Sequence, residues 1–188
     1  MKSFIKFILG SHRRLNNIIR FNTRIKTYNE SVAAHSFFVA FYSYILALYL
    51  KINKFDINIE KLLIKALLHD IEECISGDIL TPFKKLMSKE YEQLGILSVN
   101  EVTKDLYPSI REKIINIWAN CKKDFEGQIV DFCDDLSGYI YCLEQIKTGN
   151  TYFIDIIKDY KNRLIKVSQK NPILKEIVKE LTKKENIK

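Results

Sequence analysis

Apolar residues recur at helical spacing along almost the whole chain, and strand-like alternation is weak everywhere. The pattern predicts a short helix at Ser3–Leu9 that gives way at Gly10-Ser11, another over Arg13–Arg20, and a long one capped by Ser31 and reaching Lys51. Val32, Val39, Tyr42 and Leu46 make the apolar stripe of that long helix, and His35 lies on the same stripe. A further helix is expected from Ile59 to Ser76 with Gly77 as its stop, then a loop through Asp78-Ile79-Leu80-Thr81-Pro82. Ser88 is expected to cap a helix to Leu106, and Pro108 to open one over Ser109–Cys121. Glu126–Lys147, closed by Gly149-Asn150, then Thr151–Ser168 and Pro172–Lys184 complete an all-α chain. No repeat, low-complexity block or hinge divides the 188 residues, so a single domain over 1–188 is expected.

One stripe is interrupted. Leu63, Ala66 and Leu67 are followed at the next stripe position by Asp70, with His69 beside it. A carboxylate at a buried position costs several kcal/mol unless something cationic compensates it. A divalent metal does so economically, because His nitrogen and Asp oxygen are both good ligands. Matching chemistry lies on two other expected helices: His35 on one, and Asp131, Asp134 and Asp135 on the helix after Glu126. Helices in a bundle can converge such side chains on one ion. Spacing alone leaves open which of the three aspartates takes part. Glu73 follows His69 by four residues and Asp70 by three, so it shares their face and suits a group that orients a water and relays its proton. The competing reading makes it an exposed surface carboxylate like its neighbour Glu72.

Composition changes this picture little. A hydrophobic content of 47% with 12% aromatics argues for a folded chain, and 6 Gly with 3 Pro are few for an all-β one. The 30 basic and 23 acidic residues give a net charge of +7, which could favour nucleic acid, a membrane surface or a small phosphorylated ligand. The lysines are scattered rather than gathered into a stripe, so no stable nucleic-acid complex is expected. Cys74, Cys121, Cys133 and Cys142 form no C-x-x-C pair, and the chain opens without a signal-peptide pattern. Reduced thiols in a cytoplasmic protein fit best, with Cys133 and Cys142 as buried structural thiols. The most apolar run, Phe37 to Leu50, is 14 residues long, too short to span a bilayer, and reads as a core helix without membrane association.

The order H…HD…D in an all-α chain resembles the HD-domain metal-dependent phosphohydrolases. The segment Leu68-His69-Asp70-Ile71-Glu72-Glu73-Cys74-Ile75-Ser76-Gly77-Asp78-Ile79-Leu80-Thr81-Pro82-Phe83-Lys84 is similar to the H-D-x-x-E-x-x-x-G-D-x-x-T-P-x-K signature of the YfbR-like 5′-deoxynucleotidases. Arg20-Phe21 and Asn29-Glu30-Ser31-Val32-Ala33-Ala34-His35-Ser36 resemble that family's R-W and E-N-V-x-E-H-S elements. Asp134-Asp135-Leu136-Ser137-Gly138-Tyr139 with Cys142-Leu143-Glu144 resembles its A-D-x-L-x-A-Y-x-x-C-L-E helix. The resemblance runs roughly from Leu15 to Asn150.

It implies an HD-domain helical bundle with a single central metal site, holding one divalent ion (Co, Mn, Mg or Zn) on His35, His69, Asp70 and Asp134. It also implies hydrolysis of (deoxy)nucleoside 5′-monophosphates by metal-activated water, in a homodimer. Arg20 then clamps the phosphate with its rigid fork, Glu73 orients the water, Asp78 helps position the sugar and reacting group, and Lys84 adds positive charge near the phosphate. Phe21 stands where the family has a Trp that packs on the sugar, which loosens the expected preference for deoxyribose. Ala34 replaces the acid before the first histidine, a change that bears on metal affinity if that acid supports a ligand. Two rival readings are an HD phosphohydrolase acting on triphosphates or another phosphomonoester, and a basic helical module that binds nucleic acid.

Overall fold

The computed structural model describes residues 1–169 and 171–185, and among them every regular element is helical. In chain order these are α1 (Lys2–Ile8), a 3₁₀ turn (Ser11–Asn16), α2 (Val32–Ile52), α3 (Ile59–Leu68), α4 (Glu73–Ser76), α5 (Thr81–Leu86) and α6 (Ser88–Val102). They continue with α7 (Pro108–Ala119), α8 (Phe125–Lys147), a 3₁₀ turn (Thr151–Phe153), α9 (Ile154–Ser168) and α10 (Pro172–Glu185). Position 170 and positions 186–188 of the expected 1–188 unit lie outside the described residues.

Local chemistry sets the starts of the helices that matter most. Ser31 Oγ accepts from the Ala34 N–H at 3.1 Å, opening α2 as expected. Asn58 and Asp124 do the same for α3 and α8, accepting from Lys61 N and Gly127 N at 3.0 and 2.9 Å. Each such cap contributes about 1 kcal/mol. Helix α8 is the axle of the bundle, packed on α2, α3 and α9, with α2 also against α3 and α10 against α9. Its Ile129, Val130, Phe132, Cys133, Tyr139 and Cys142 are buried. Gly138 allows the close approach of α9, since a Cβ there would sit 2.3 Å from the Tyr160 ring. Cys74, Cys121, Cys133 and Cys142 are all buried and free.

The structure departs from the sequence pattern at several places that shape the site. No helix covers Arg13–Arg20. After the 3₁₀ turn the chain pairs back on itself, with an isolated antiparallel bridge between Ile19 and Ser31 and Arg20 N–H donating to Glu30 O at 3.0 Å. The expected Ile59–Ser76 helix breaks after Leu68. Backbone bonds tighten to three-residue spacing there (Ile71 N to Leu68 O, Glu73 N to Asp70 O, both 3.2 Å), and Gly77 ends the segment at φ +72°. The buried stripe is Leu62, Lys65, Ala66 and His69, while Leu67 is 59% exposed. The predicted loop at 78–82 stops early because Thr81 and Pro82 begin α5, where proline's missing N–H costs nothing. Ser88 is the first residue of α6, not its cap. The 14-residue apolar run lies in a 21-residue helix, long and apolar enough to cross a membrane by length and composition. Burial, not length, marks α2 as a core helix: nine of its residues, His35 among them, are buried in the protein.

A buried lysine closes the bundle beneath the site. Lys65 Nζ on α3 donates to Asn120 O, Cys121 O and Asp124 Oδ1 at 2.9, 3.1 and 2.6 Å, tying down the α7–α8 loop. Lys65→Met removes all three bonds at a 4%-exposed position and leaves Asp124 Oδ1 only the Gly127 N–H. A loss of about 3 kcal/mol lowers Tm by about 6–12 °C. Thermal unfolding within 2 °C of wild type would refute the assignment.

Candidate metal centre and active site

The break between α3 and α4 aims His69 and Asp70 inward, where α2 presents His35 and α8 presents Asp134. His69 Nε2 lies 3.1 Å from Asp70 Oδ2 and 3.4 Å from His35 Nε2. His35 Nε2 is 3.8 Å from Asp70 Oδ2 and 3.1 Å from Asp134 Oδ1. These separations suit a single ion: ligands at about 2.1 Å in tetrahedral array stand about 3.4 Å apart. The ligand atoms of His35, His69 and Asp70 all fall within 4.8 Å of one another, and Asp134 joins through His35. His69 Nδ1 is 2.8 Å from Ala66 O, so it donates there and leaves Nε2 facing its partners. The donor set is two imidazoles and two carboxylates, a fit for a divalent metal.

The three aspartates of α8 separate cleanly. Asp134 meets His35, Asp131 Oδ1 pairs with Lys122 at 2.7 Å, and Asp135 Oδ1 pairs with Arg163 at 3.1 Å. Lys122 also reaches Asp134 Oδ2 at 2.9 Å, so one lysine from the α7–α8 loop bridges two of them.

Charge in this cluster is mutually dependent. Burial opposes charge on His69, but the Asp70 carboxylate overrides it and raises the ring to about 9. Burial likewise opposes ionisation of Asp70, and the His69 charge outweighs it and holds the carboxyl well below its usual range. His35 is pushed down to about 4 by burial and then by the Arg20 guanidinium. The sign of one consequence follows. Below pH 9 His69 carries a proton that a metal must displace, and above it the ring is already neutral. Affinity for Mn²⁺ should therefore rise about tenfold per pH unit from pH 6 to 8. Titration calorimetry at several pH values checks this, and a flat profile would count against metal binding at His69.

Around the centre lies a cavity of 460 Å³ lined by Arg20, Phe21, Glu73, Asp78, Lys84 and Tyr160 among others, a size suited to a small-molecule ligand. Arg20 Nη1 contacts Glu30 Oε2 at 2.8 Å and His35 Nδ1 at 2.7 Å, and Nη2 reaches Tyr160 OH at 3.3 Å. Phe21 adopts φ 54°, an uncommon conformation for a residue with a side chain. Asp78 Oδ2 holds it there by accepting the Phe21 N–H at 3.1 Å. The Phe21 ring stacks on Tyr141 at 5.4 Å and meets Phe153 and Tyr160 edge-on, which anchors it to the core.

Glu73 is 3% exposed, and burial followed by the Asp70 charge raises its affinity for a proton. Lys84 is half-buried and paired: its Nζ sits 3.2 Å from Glu73 Oε1 and 5.0 Å above the Tyr91 ring. Glu72 is not a surface carboxylate either. It is 3% exposed and accepts from Trp118 Nε1 at 2.6 Å and Tyr91 OH at 3.2 Å. Trp118 can approach because Gly95 faces it, where a Cβ would lie 2.2 Å from the indole. Sequence reasoning missed Glu72, Lys122, Trp118, Tyr160 and Ser137 as members of the site. Glu72 and Ser137, like Glu30, lie inside quoted motifs, whereas Lys122, Trp118 and Tyr160 lie in none.

Solved structures with the same arrangement of helices bear on the class. A conserved hypothetical protein of Pyrococcus furiosus superposes with TM-score 0.76 at 28% identity, covering 95% of this chain and 99% of that one. An HD-domain phosphohydrolase of Listeria innocua superposes with TM-score 0.71 at 19% identity, covering 86% and 79%, and at that identity shows the fold alone. The helical fold is thus shared with that phosphohydrolase, and the inward-facing His-Asp pair with His35 makes a donor set that could hold a metal ion. The chain belongs to the 5′-deoxynucleotidase YfbR-like family, whose model it matches over residues 6–183. The 5′-deoxynucleotidase YfbR of Escherichia coli is 30% identical over 115 residues, and the match spans 56% of either chain.

Proposed function

We propose that the chain is a 5′-nucleotidase that hydrolyses nucleoside 5′-monophosphates, deoxyribonucleotides preferentially, to nucleoside and inorganic phosphate. The observation that carries this reading is the convergence of His35, His69 and Asp70 within 4.8 Å, with Arg20, which lines the same cavity as His69 and Asp70, 2.7 Å from His35. Membership of a family described by 5′-deoxynucleotidase activity supports the substrate class. His35, His69, Asp70 and Asp134 would hold one divalent ion (Co, Mn, Mg or Zn). Bound there, such an ion supplies polarisation of a phosphoryl oxygen and a lowered pKa for water.

The remaining work belongs to the chain. Arg20, braced by Glu30 and Tyr160, offers a rigid fork to the phosphate oxygens. Glu73 orients the attacking water and takes its proton, a role that suits a buried carboxyl with raised proton affinity. Lys84 acts on that step through Glu73, by stabilising its ionised form. Asp78 acts through Phe21, whose backbone it pins at the edge of the cavity where the sugar lies.

The test is phosphate release from deoxynucleoside and ribonucleoside monophosphates with cobalt, manganese, magnesium or zinc. Phosphate without pyrophosphate, and faster release from the deoxy series, is expected. No release with any of the metals, or pyrophosphate from a triphosphate as the main product, would overturn the reading.

The proposal extends to a homodimer in a reducing cytoplasm. Four free, buried cysteines suit the compartment. An outward face of α2 suits the assembly: Phe37 and Tyr49 are 62% and 61% exposed, with Phe41 and Ile45 between them at 49% and 37%. No Lys, Arg, Asp or Glu occurs from Val32 to Leu50, so two copies meet there without opposing like charges.

A further inference from the structure

The charge of this chain is unevenly placed. All 23 acidic residues lie at Glu30 or beyond, and so do all but seven of the 30 basic ones, so the whole net charge of +7 belongs to the first 29 residues. Two of those seven cations turn inward: Arg20 pairs with Glu30 at 2.8 Å, and Lys26 Nζ donates to Phe21 O at 2.8 Å. Lys2, Lys6, Arg13, Arg14 and Arg24 are exposed, and of these only Lys6 makes an ion pair among the described residues, with Asp105 at 3.3 Å. Helix α1 lies in the same region with its apolar face outward. Ser3 Oγ bonds to Asp105 O, and Phe7 stacks on His12 with ring centroids 5.0 Å apart, so that side of the helix meets the body of the protein. Met1, Phe4, Ile5, Ile8 and Leu9 make the opposite face, at i, i+3, i+4, i+7 and i+8 spacing, and are 40% to 86% exposed.

We propose that α1 and the 3₁₀ turn after it dock on the surface of an anionic lipid bilayer, with the outward face of α1 entering the headgroup boundary and Lys2, Arg13 and Arg14 lying at the level of the lipid phosphates. Charge selects among the occupants this face could have. A second copy would set the unpaired Lys2, Arg13 and Arg14 of one chain near those of the other, whereas the uncharged stretch of α2 from Val32 to Leu50 lets two copies meet without that repulsion. A nucleic acid would use the cations but leave five apolar side chains in water. An anionic bilayer uses both, because apolar side chains gain by entering the boundary between headgroups and acyl chains while basic ones are attracted to the negative surface. The seven residues of α1 make a helix about 10 Å long, far short of the roughly 30 Å of a bilayer's hydrocarbon core. The contact is therefore with the surface of the bilayer, and α2 keeps its place in the protein core.

Co-sedimentation of the full chain with vesicles tests this. Vesicles of phosphatidylcholine with about 30% phosphatidylglycerol should bind it at least about tenfold more tightly than vesicles of phosphatidylcholine alone. Raising the salt from about 0.1 to about 0.5 M should remove most of that difference. Arg13→Gln with Arg14→Gln should weaken binding about 10- to 30-fold, and Phe4→Ser with Ile8→Ser about tenfold or more. All four side chains are exposed, so both double variants should unfold within about 2 °C of wild type. Equal binding to the two kinds of vesicle, no binding to either, or binding unchanged in both variants would overturn the inference. If Phe4→Ser with Ile8→Ser instead splits a dimer in sedimentation equilibrium while wild type ignores the anionic vesicles, α1 is an interface between copies and the inference fails.

Discussion

Alanine at both His69 and Asp70 lowers phosphate release from a deoxynucleoside monophosphate by at least about a thousandfold and abolishes metal retention. The magnitude follows from the several kcal/mol of transition-state charge stabilisation that a metal provides, at about 1.4 kcal/mol for each factor of ten. Replacing the pair together matters for interpretation. His69 and Asp70 compensate each other across 3.1 Å in a buried setting. Removing Asp70 alone strands a charged imidazole, at a cost of about 3–5 kcal/mol. Removing both leaves no orphan charge, so the double variant should fold with near-wild-type circular dichroism. Metal content by mass spectrometry and a phosphate assay check the expectation together. Hydrolysis within tenfold of wild type in a folded, metal-depleted double variant would sink the proposed function.

Glu73→Gln should lower kcat by about 10²- to 10⁴-fold, the usual range for a general base, with metal content unchanged. The carboxyl is already biased toward its neutral form by burial and by Asp70. An isosteric amide therefore should fit without loss of stability, and separates proton transfer from folding. Lys84 supplies the companion test. Its ammonium group, 3.2 Å from Glu73 Oε1, favours the ionised carboxylate. Lys84→Met raises the Glu73 pKa further, so the acidic limb of the kcat profile moves to higher pH. A limb that stays in place, or moves lower, would remove Glu73 from the proton-transfer step. A Glu73→Gln enzyme with normal kcat would do the same.

Much of the site was legible because its residues lie within short motifs. His69, Asp70, Glu73, Gly77 and Asp78 occupy one ten-residue stretch, and helical periodicity put His35 on a core-facing stripe. The misreadings have a common cause. Read as a single helix, the Ile59–Ser76 pattern sets the stripe on Leu67 and puts Glu72 in solvent. The tightening after Leu68 breaks that register, exposes Leu67 and buries Glu72 under Trp118 and Tyr91. Nothing within a helical window signals that break, because a turn of three-residue bonds differs from an α-turn by a small rotation. The pairing of Lys84 with Glu73 left no sequence signal, because the two lie across a loop, eleven positions apart.

What the sequence determined by itself is the chemistry of the donors and the helical class. Side-chain type decides which groups can ligate or clamp, and apolar spacing decides which helical face is wet. Tertiary structure alone decided which donors meet and what state they are in. Asp134, not Asp131 or Asp135, stands at His35, 99 positions away in the chain, and Lys122 neutralises two of the three. The raised His69, the depressed Asp70 and the approach of Arg20 Nη1 and Ser137 Oγ to His35 Nδ1 likewise come from groups that folding brings together. A protonation state is set by charge and burial within a few ångströms, and such neighbours are drawn from α2, α3 and α8, the break after α3 and the turn that carries Arg20.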